Sequence, residues 1–221
     1  MNPNEYSLRE VKHARTKITL MNAFIERLRN SRFEDISIKD VCQSAEISEG
    51  TFFNYFPGKI DVINYYVNLM TMKVILKAQK RTPPDRYIPL LNAFFEEIAD
   101  EFAKINIKYE LISIMIVQRE RPKRVAIPVI EKHLFFPDLA GIEDMSPISI
   151  DEFFKKCIVG ALKTGEFSKS VNSDNALVSL LTIMVGTMIA VKFDDVKNFK
   201  YQSIRQLQLL WTELGIKQPK G

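Results

Sequence analysis

The sequence predicts an all-α protein, and three observations carry that prediction. Apolar residues recur at three- and four-residue steps along most of the chain. No stretch of any length alternates polar and apolar residues with the period of two that a half-buried strand requires. Breakers such as Pro57-Gly58, Pro83-Pro84 and Gly165 stand at the ends of the periodic segments.

The elements follow in order. Val11, Ala14, Ile18, Met21, Ile25 and Leu28 form one stripe of a first helix, closed by the polar Asn30 and Ser31. Ser37 opens a second helix through "SIKD", a capping-box-like pattern with Asp40 in the Glu/Gln place. Ile38, Val41, Cys42 and Ala45 supply its apolar face. Ser48 caps a third, very short helix that ends at Asn54 or Tyr55. A long helix is expected from about Lys59 to Lys80, and the next carries Ile88, Leu91, Phe95, Ile98 and Phe102. Residues 107–118 read as a helix apolar all round, hence buried. Pro122, Pro128, Pro137 and Pro147 divide the following stretch into short helices and a loop. Ser149 starts a helix to about Thr164, Asp174 caps an apolar helix to about Lys192, and a last helix runs from about Phe199 to Leu214.

A chain of 221 residues with 46% hydrophobic residues is long enough for a substantial core. The apolar runs "LISIMIV" and "LTIMVGTMIAV" read as too short for a bilayer, so no membrane partner is expected. The N-terminus lacks the apolar centre of a signal peptide. Two widely separated cysteines, Cys42 and Cys157, suggest no disulfide framework, and a reducing cytoplasm fits best. The net charge of +4 is matched by residues 1–32 alone, which hold Arg9, Lys12, Arg15, Lys17, Arg27, Arg29 and Arg32 against three glutamates. Such an end suits an anionic partner as well as it suits a solvated helix face.

The two short helices joined by "AEIS" have helix-turn-helix spacing, with the Val11–Leu28 stripe as platform. In such a unit the second short helix presents side chains to base edges in the major groove. Thr51 offers a hydroxyl and a methyl, and Asn54 an amide that pairs with adenine. Gly50 allows close approach of backbone to phosphate. Taken singly, each of these is an ordinary surface residue; their common placement gives them meaning. Arg15 and Lys17 read as general attraction to the DNA backbone.

With "FEDISIKDVCQSAEISEGTFFNYFPGKIDVI", and above all "ISIKDV" and "ISEGTFFNYF", residues 10–63 resemble the DNA-binding head of the TetR family of transcriptional regulators. "TGEF" at 164–167 followed by "MVGTMIA" resembles its C-terminal half. The resemblance implies a helix-turn-helix domain over 1–58 and a ligand-sensing and dimerisation domain, a helical bundle, over 59–221. It implies DNA contacts from Ser37, Lys39, Glu49, Gly50, Thr51, Phe53, Asn54, Tyr55 and Lys59, with Phe52 and Phe56 as buried anchors. Two residues depart from the pattern. Glu46 stands at the usual turn glycine, and Phe53 where tyrosine is common, so that only van der Waals contact is left there. For Phe53, core and groove contact weigh equally from sequence.

By resemblance the remaining helices dimerise the chain, through 149–164 and 174–191, with plain monomer core the alternative for Leu177, Leu181 and Val185, and they sense an effector. Gly160 and Gly186, inside these helices, suggest close helix packing. Phe94, Phe95, Phe102, Tyr109, Met115 and Phe135 are the candidate lining of an apolar cavity, although aromatic residues at such spacing are more often plain core. Few fixed charges there favour a lipophilic effector. The expected function is a ligand-responsive repressor that binds an inverted-repeat operator as a homodimer. The rival is a helical carrier or partner-binding module without operator activity. No cofactor and no metal is expected, since His13 and His133 are isolated, and no catalytic residue is assigned. Glu96, Glu97, Asp100 and Glu101 read as a solvated acidic face. Cys157, close to Lys155 and Lys156, reads first as structural and second as a redox-sensing thiol.

Overall fold

The computed structural model describes residues 6–105, 107–117, 125–193 and 198–216. Among them there are α-helices and short turns, and no strand. The helices are α1 (Leu8–Leu28), α2 (Ile38–Ser44), α3 (Glu49–Tyr55), α4 (Lys59–Lys80), α5 (Tyr87–Lys104), α6 (Lys108–Val117), α7 (Val129–Phe135), α8 (Ile150–Thr164), α9 (Ser173–Phe193) and α10 (Phe199–Glu213). A 3-10 turn, Ile142–Asp144, follows α7. They fall into two compact units, one of residues 1–73 and 106–147, the other of 74–105 and 148–221. α4 thus contributes its first part to one unit and its last two turns to the other.

The first unit is built on α1. Ser7 caps that helix in a reciprocal box with Glu10, and its inner face buries Ala14, Leu20, Met21, Phe24, Ile25 and Leu28. α2 packs on α1 through Val41 and Cys42. The Arg27 guanidinium reinforces this by donating to the Asp40 carbonyl at 2.9 Å and the Ser44 hydroxyl at 2.7 Å. α7 also lies against α1. α6 departs from expectation. Leu111 and Ile114 are buried, but Met115, Ile116 and Val117 are exposed, because this unit covers only one face of the helix.

The second unit is an α-helical bundle in which α5 packs on α8 and α10, and α9 on α8 and α10. Phe94, Phe95, Phe153 and Phe154 form its aromatic centre, with ring centroids 4.9–5.9 Å apart among the α5–α8 pairs and between Phe94 and Phe95. Trp211 is wholly buried, with its indole N–H donating to Asn92 at 2.8 Å. Gly160 has a local cause: the Tyr87 ring lies where a Cβ would stand. Gly186 meets no such pressure among the described residues. The cap of α9 is Asn172, whose Oδ1 accepts from the Asn175 N–H at 2.9 Å, and Asp174 sits in the first turn. α9 is long and apolar enough, over Ser173–Lys192, to cross a membrane by length and composition, which corrects the sequence reading. Its packing against α8 and α10 gives part of that apolarity another use.

The acidic face also needs correction. Glu97 and Glu101 are buried, and the basic end of α4 neutralises them. Arg81 donates to Glu97 at 2.7 Å and to Glu96 at 2.5 Å. Lys77 reaches Glu101 at 3.1 Å, and Lys200 of α10 reaches Asp100 at 3.0 Å. The hydrogen bonds to Glu97, then Glu96, hold the Arg81 guanidinium even more firmly charged than usual. The cluster is therefore an interhelical ion-pair layer.

Cys157 lies in the interior of α8, and burial pushes its thiol up to about 12. Lys155 and Lys156 project to solvent and leave it unactivated, so the redox-sensing reading is set aside.

Two predictions arise from this packing. Glu46 keeps the left-handed backbone of the usual turn glycine, with φ of 56°. Glu46→Gly is therefore expected to raise stability by about 0.5–1 kcal/mol in urea unfolding. Cys157 should resist alkylation at pH 8 in the folded protein and react rapidly in denaturant. The folded thiol keeps its proton where the unfolded one releases it, so this residue subtracts stability as pH rises above the ordinary thiol range.

Candidate nucleic-acid interface

The turn between α2 and α3 is closed by backbone bonds. Ala45 N–H donates to Val41 O at 3.0 Å, Glu46 N–H to Gln43 O at 3.2 Å, and Ile47 N–H to Cys42 O at 2.9 Å. Glu46 makes the reversal with positive φ and its side chain in solvent. Ser48 then caps α3, its hydroxyl accepting from the Thr51 N–H at 3.2 Å.

One side of α3 is anchored. Phe52 and Phe56 are fully buried, 5.9 Å apart, and Phe56 meets the ring of Tyr65 on α4 at 5.6 Å. The other side faces solvent. Glu49, Gly50 and Asn54 are exposed, and Phe53 is 52% exposed. Phe53 is therefore not a core residue, which removes one of its two readings. Its ring meets Phe52 edge-on at 5.4 Å, so it is braced from behind.

Thr51 and Tyr55 are half-buried and have partners. The Thr51 hydroxyl shares a 2.8 Å hydrogen bond with that of Ser48. The Tyr55 ring lies against His13 of α1, with centroids 4.5 Å apart. Sequence reading left His13 without a role, because nothing local announces a contact between residues 42 positions apart.

The cations divide into two groups. Arg9, Lys12, Arg15 and Lys39 are exposed. Lys59, assigned to the interface from sequence, donates to the carbonyls of Phe33, Glu34 and Ile36 at 2.9, 2.9 and 3.1 Å, and lies 5.2 Å from the Phe33 ring centre. It ties down the loop ahead of α2. Ser37 is the cap of α2, accepting from the Asp40 N–H.

Lys17 does not join the exposed group, contrary to the sequence reading. Its ammonium lies 3.1 Å from Glu131 of α7 and 4.3 Å from the centre of the Tyr65 ring, and Glu131 is 2% exposed. The Tyr65 hydroxyl donates to the same carboxylate at 2.8 Å. Burial, and then the Glu131 charge, push the phenol well above its ordinary range. Next to it Lys132 is buried and donates to the carbonyls of Glu143 and Met145. Desolvation lowers its pKa. No sequence signal joins Lys17 to a carboxylate 114 residues away.

The candidate cavity residues fall in both units. Phe94 and Phe95 fill the aromatic centre described above, and Phe102 meets Phe199 at 5.7 Å. In the first unit, Tyr109 is half-buried, Met115 exposed, and Phe135 rests against Phe136 at 4.6 Å. An open groove in the second unit runs between α9 and α10, lined by Val178, Thr182, Ile183, Gln206, Leu209 and Leu210 among others.

No family model matches the chain. The HTH-type transcriptional regulator UidR of Escherichia coli K12 is 22% identical over 180 residues, covering 81% of this chain and 83% of its own. Among solved structures, Thermus thermophilus FadR, a TetR-family transcriptional repressor in complex with lauroyl-CoA, matches with a TM-score of 0.61 at 14% identity, over 93% of this chain and 100% of its own. Bacillus subtilis FadR in complex with stearoyl-CoA matches with a TM-score of 0.60 at 13% identity, over 87% and 96%. The all-α architecture, the helix-turn-helix head and these likenesses agree: the chain has the fold of the TetR family of transcriptional regulators.

Proposed function

We propose that this chain is a ligand-responsive transcriptional repressor. It binds an inverted-repeat operator as a homodimer and is released by a small lipophilic effector. The observation that carries the reading is the presentation of α3. Phe52 and Phe56 lie inside, the flank with Gly50, Phe53 and Asn54 is outside, and exposed cations of α1 and α2 belong to the same unit. A helix so held can enter a major groove while Arg9, Lys12, Arg15 and Lys39 neutralise phosphates.

Dimerisation is supported by the unpartnered apolar residues of α8 and α9. Val159, Val178 and Ile189 are 47%, 60% and 41% exposed in the single chain. A two-fold operator requires two heads at fixed separation, and pairing these helices would supply it while burying their apolar faces. Effector release is supported by the acyl-CoA ligands of the two FadR structures. The mechanism is a population shift: the effector binds better to a dimer geometry whose heads no longer match the half-site spacing. No catalytic residue belongs to this reading, and burial closes off the one nucleophile that sequence offered, Cys157.

Selection from random duplex DNA with the full chain is expected to enrich an inverted repeat, and binding that never exceeds random duplex overturns the proposal. Asn54→Ala should reduce discrimination between operator and random DNA by about 1–3 kcal/mol in titrations at fixed salt. Thr51→Ala should do so too, partly by loosening the cap it shares with Ser48. Arg15→Ala should weaken binding at all sequences and lower the salt slope by about 1. Lys17→Ala should act differently. It leaves Glu131 buried without its cation, so thermal or urea unfolding should show a loss of about 3–5 kcal/mol.

A further inference from the structure

The exposed side of α3 carries few free polar groups. Thr51 and Tyr55 are half-buried, with the Thr51 hydroxyl bonded to that of Ser48 and the Tyr55 ring against His13. Gly50 has no side chain, and no neighbour lies within 4 Å of where its Cβ would stand. Glu49 is an anion, which phosphate repels. That leaves Asn54, which is exposed, and Phe53 beside it.

An apolar ring half in water is unremarkable on most surfaces. This one differs in two respects. The edge-on contact with buried Phe52, at an interplanar angle of 83°, supports it from behind. The unit that carries it also exposes the cations Lys12, Arg15 and Lys39, which suits a polyanion better than an apolar protein face. A phenyl ring has no hydrogen-bonding group to offer a base edge. In the major groove it satisfies only one feature, the 5-methyl of thymine. Placed against the cytosine amine or the guanine carbonyl, it would strip water from a polar group and return nothing.

We propose that Phe53 is a specificity-determining residue that selects a thymine in each operator half-site by packing on its 5-methyl group. This rests on the regulator reading above and adds to it a base identity and the atom that is read. Asn54, one residue on, supplies the polar contact to a neighbouring base, so the position read by Phe53 adjoins one read by hydrogen bonds.

The test starts from the duplex that the full chain enriches from a random library. Each thymine in a half-site is replaced in turn by deoxyuridine, which removes the methyl and keeps every hydrogen-bonding group. One thymine per half-site should respond, with affinity falling about threefold to fivefold, the worth of one buried methyl. In Phe53→Ala, whose folding is checked by thermal melting, that substitution should have no effect, while Phe53→Leu should retain part of it. If no thymine responds, or if the response survives in Phe53→Ala, the assignment is wrong. If the library yields no preferred sequence, the regulator reading falls and this inference falls with it.

Discussion

The burial of Phe52 and Phe56 is the constraint on which the head depends. α3 has only seven residues, too few to be a stable helix in water by itself. Its shape is borrowed from tertiary contact: two aromatic rings on one side are driven from water into a core already made by α1, α2 and the start of α4. Because a helix turns about 100° per residue, burying positions 52 and 56 leaves 50, 53 and 54 outside, while Glu49 is exposed because it begins the helix. The surface offered to a partner is thus the complement of the hydrophobic anchor.

Charge is allotted by the same logic. Cations that find carboxylates or carbonyls inside the protein hold it together: Lys17 on Glu131, Lys59 on the loop at 33–36, Lys132 on the turn at 143–145, and Lys77 and Arg81 on the acids of α5. Cations that find none among the described residues stay in solvent, and on the head these include Arg9, Lys12, Arg15, Arg32 and Lys39. The basic character of residues 1–32 therefore overstates the charge open to a partner, since Lys17 and Arg27 are held within the unit.

The helix-turn-helix was legible because its signals are local. Ser37 and Ser48 mark helix starts, a four-residue link sets the turn, and the spacing of Phe52 and Phe56 places both on one face. The acidic run at 96–101 misled for the opposite reason. In sequence it is four carboxylates without a cation, and its neutralising partners lie on α4 and α10. Gly160 likewise reads as a generic packing glycine, until the Tyr87 ring explains why a methyl is excluded.

By itself the sequence determined the helical class, the order and approximate ends of the helices, and which end of the chain holds the helix-turn-helix. Periodicity, caps and breakers act over a few residues, so they survive in a linear reading. Only the tertiary structure decided which side chains remain free. Whether Phe53 is core or surface, whether Lys17 faces solvent or a carboxylate, and whether Cys157 can ionise all turn on neighbours brought close by folding. Burial and pairing are properties of that neighbourhood, and chain distance carries almost no information about it.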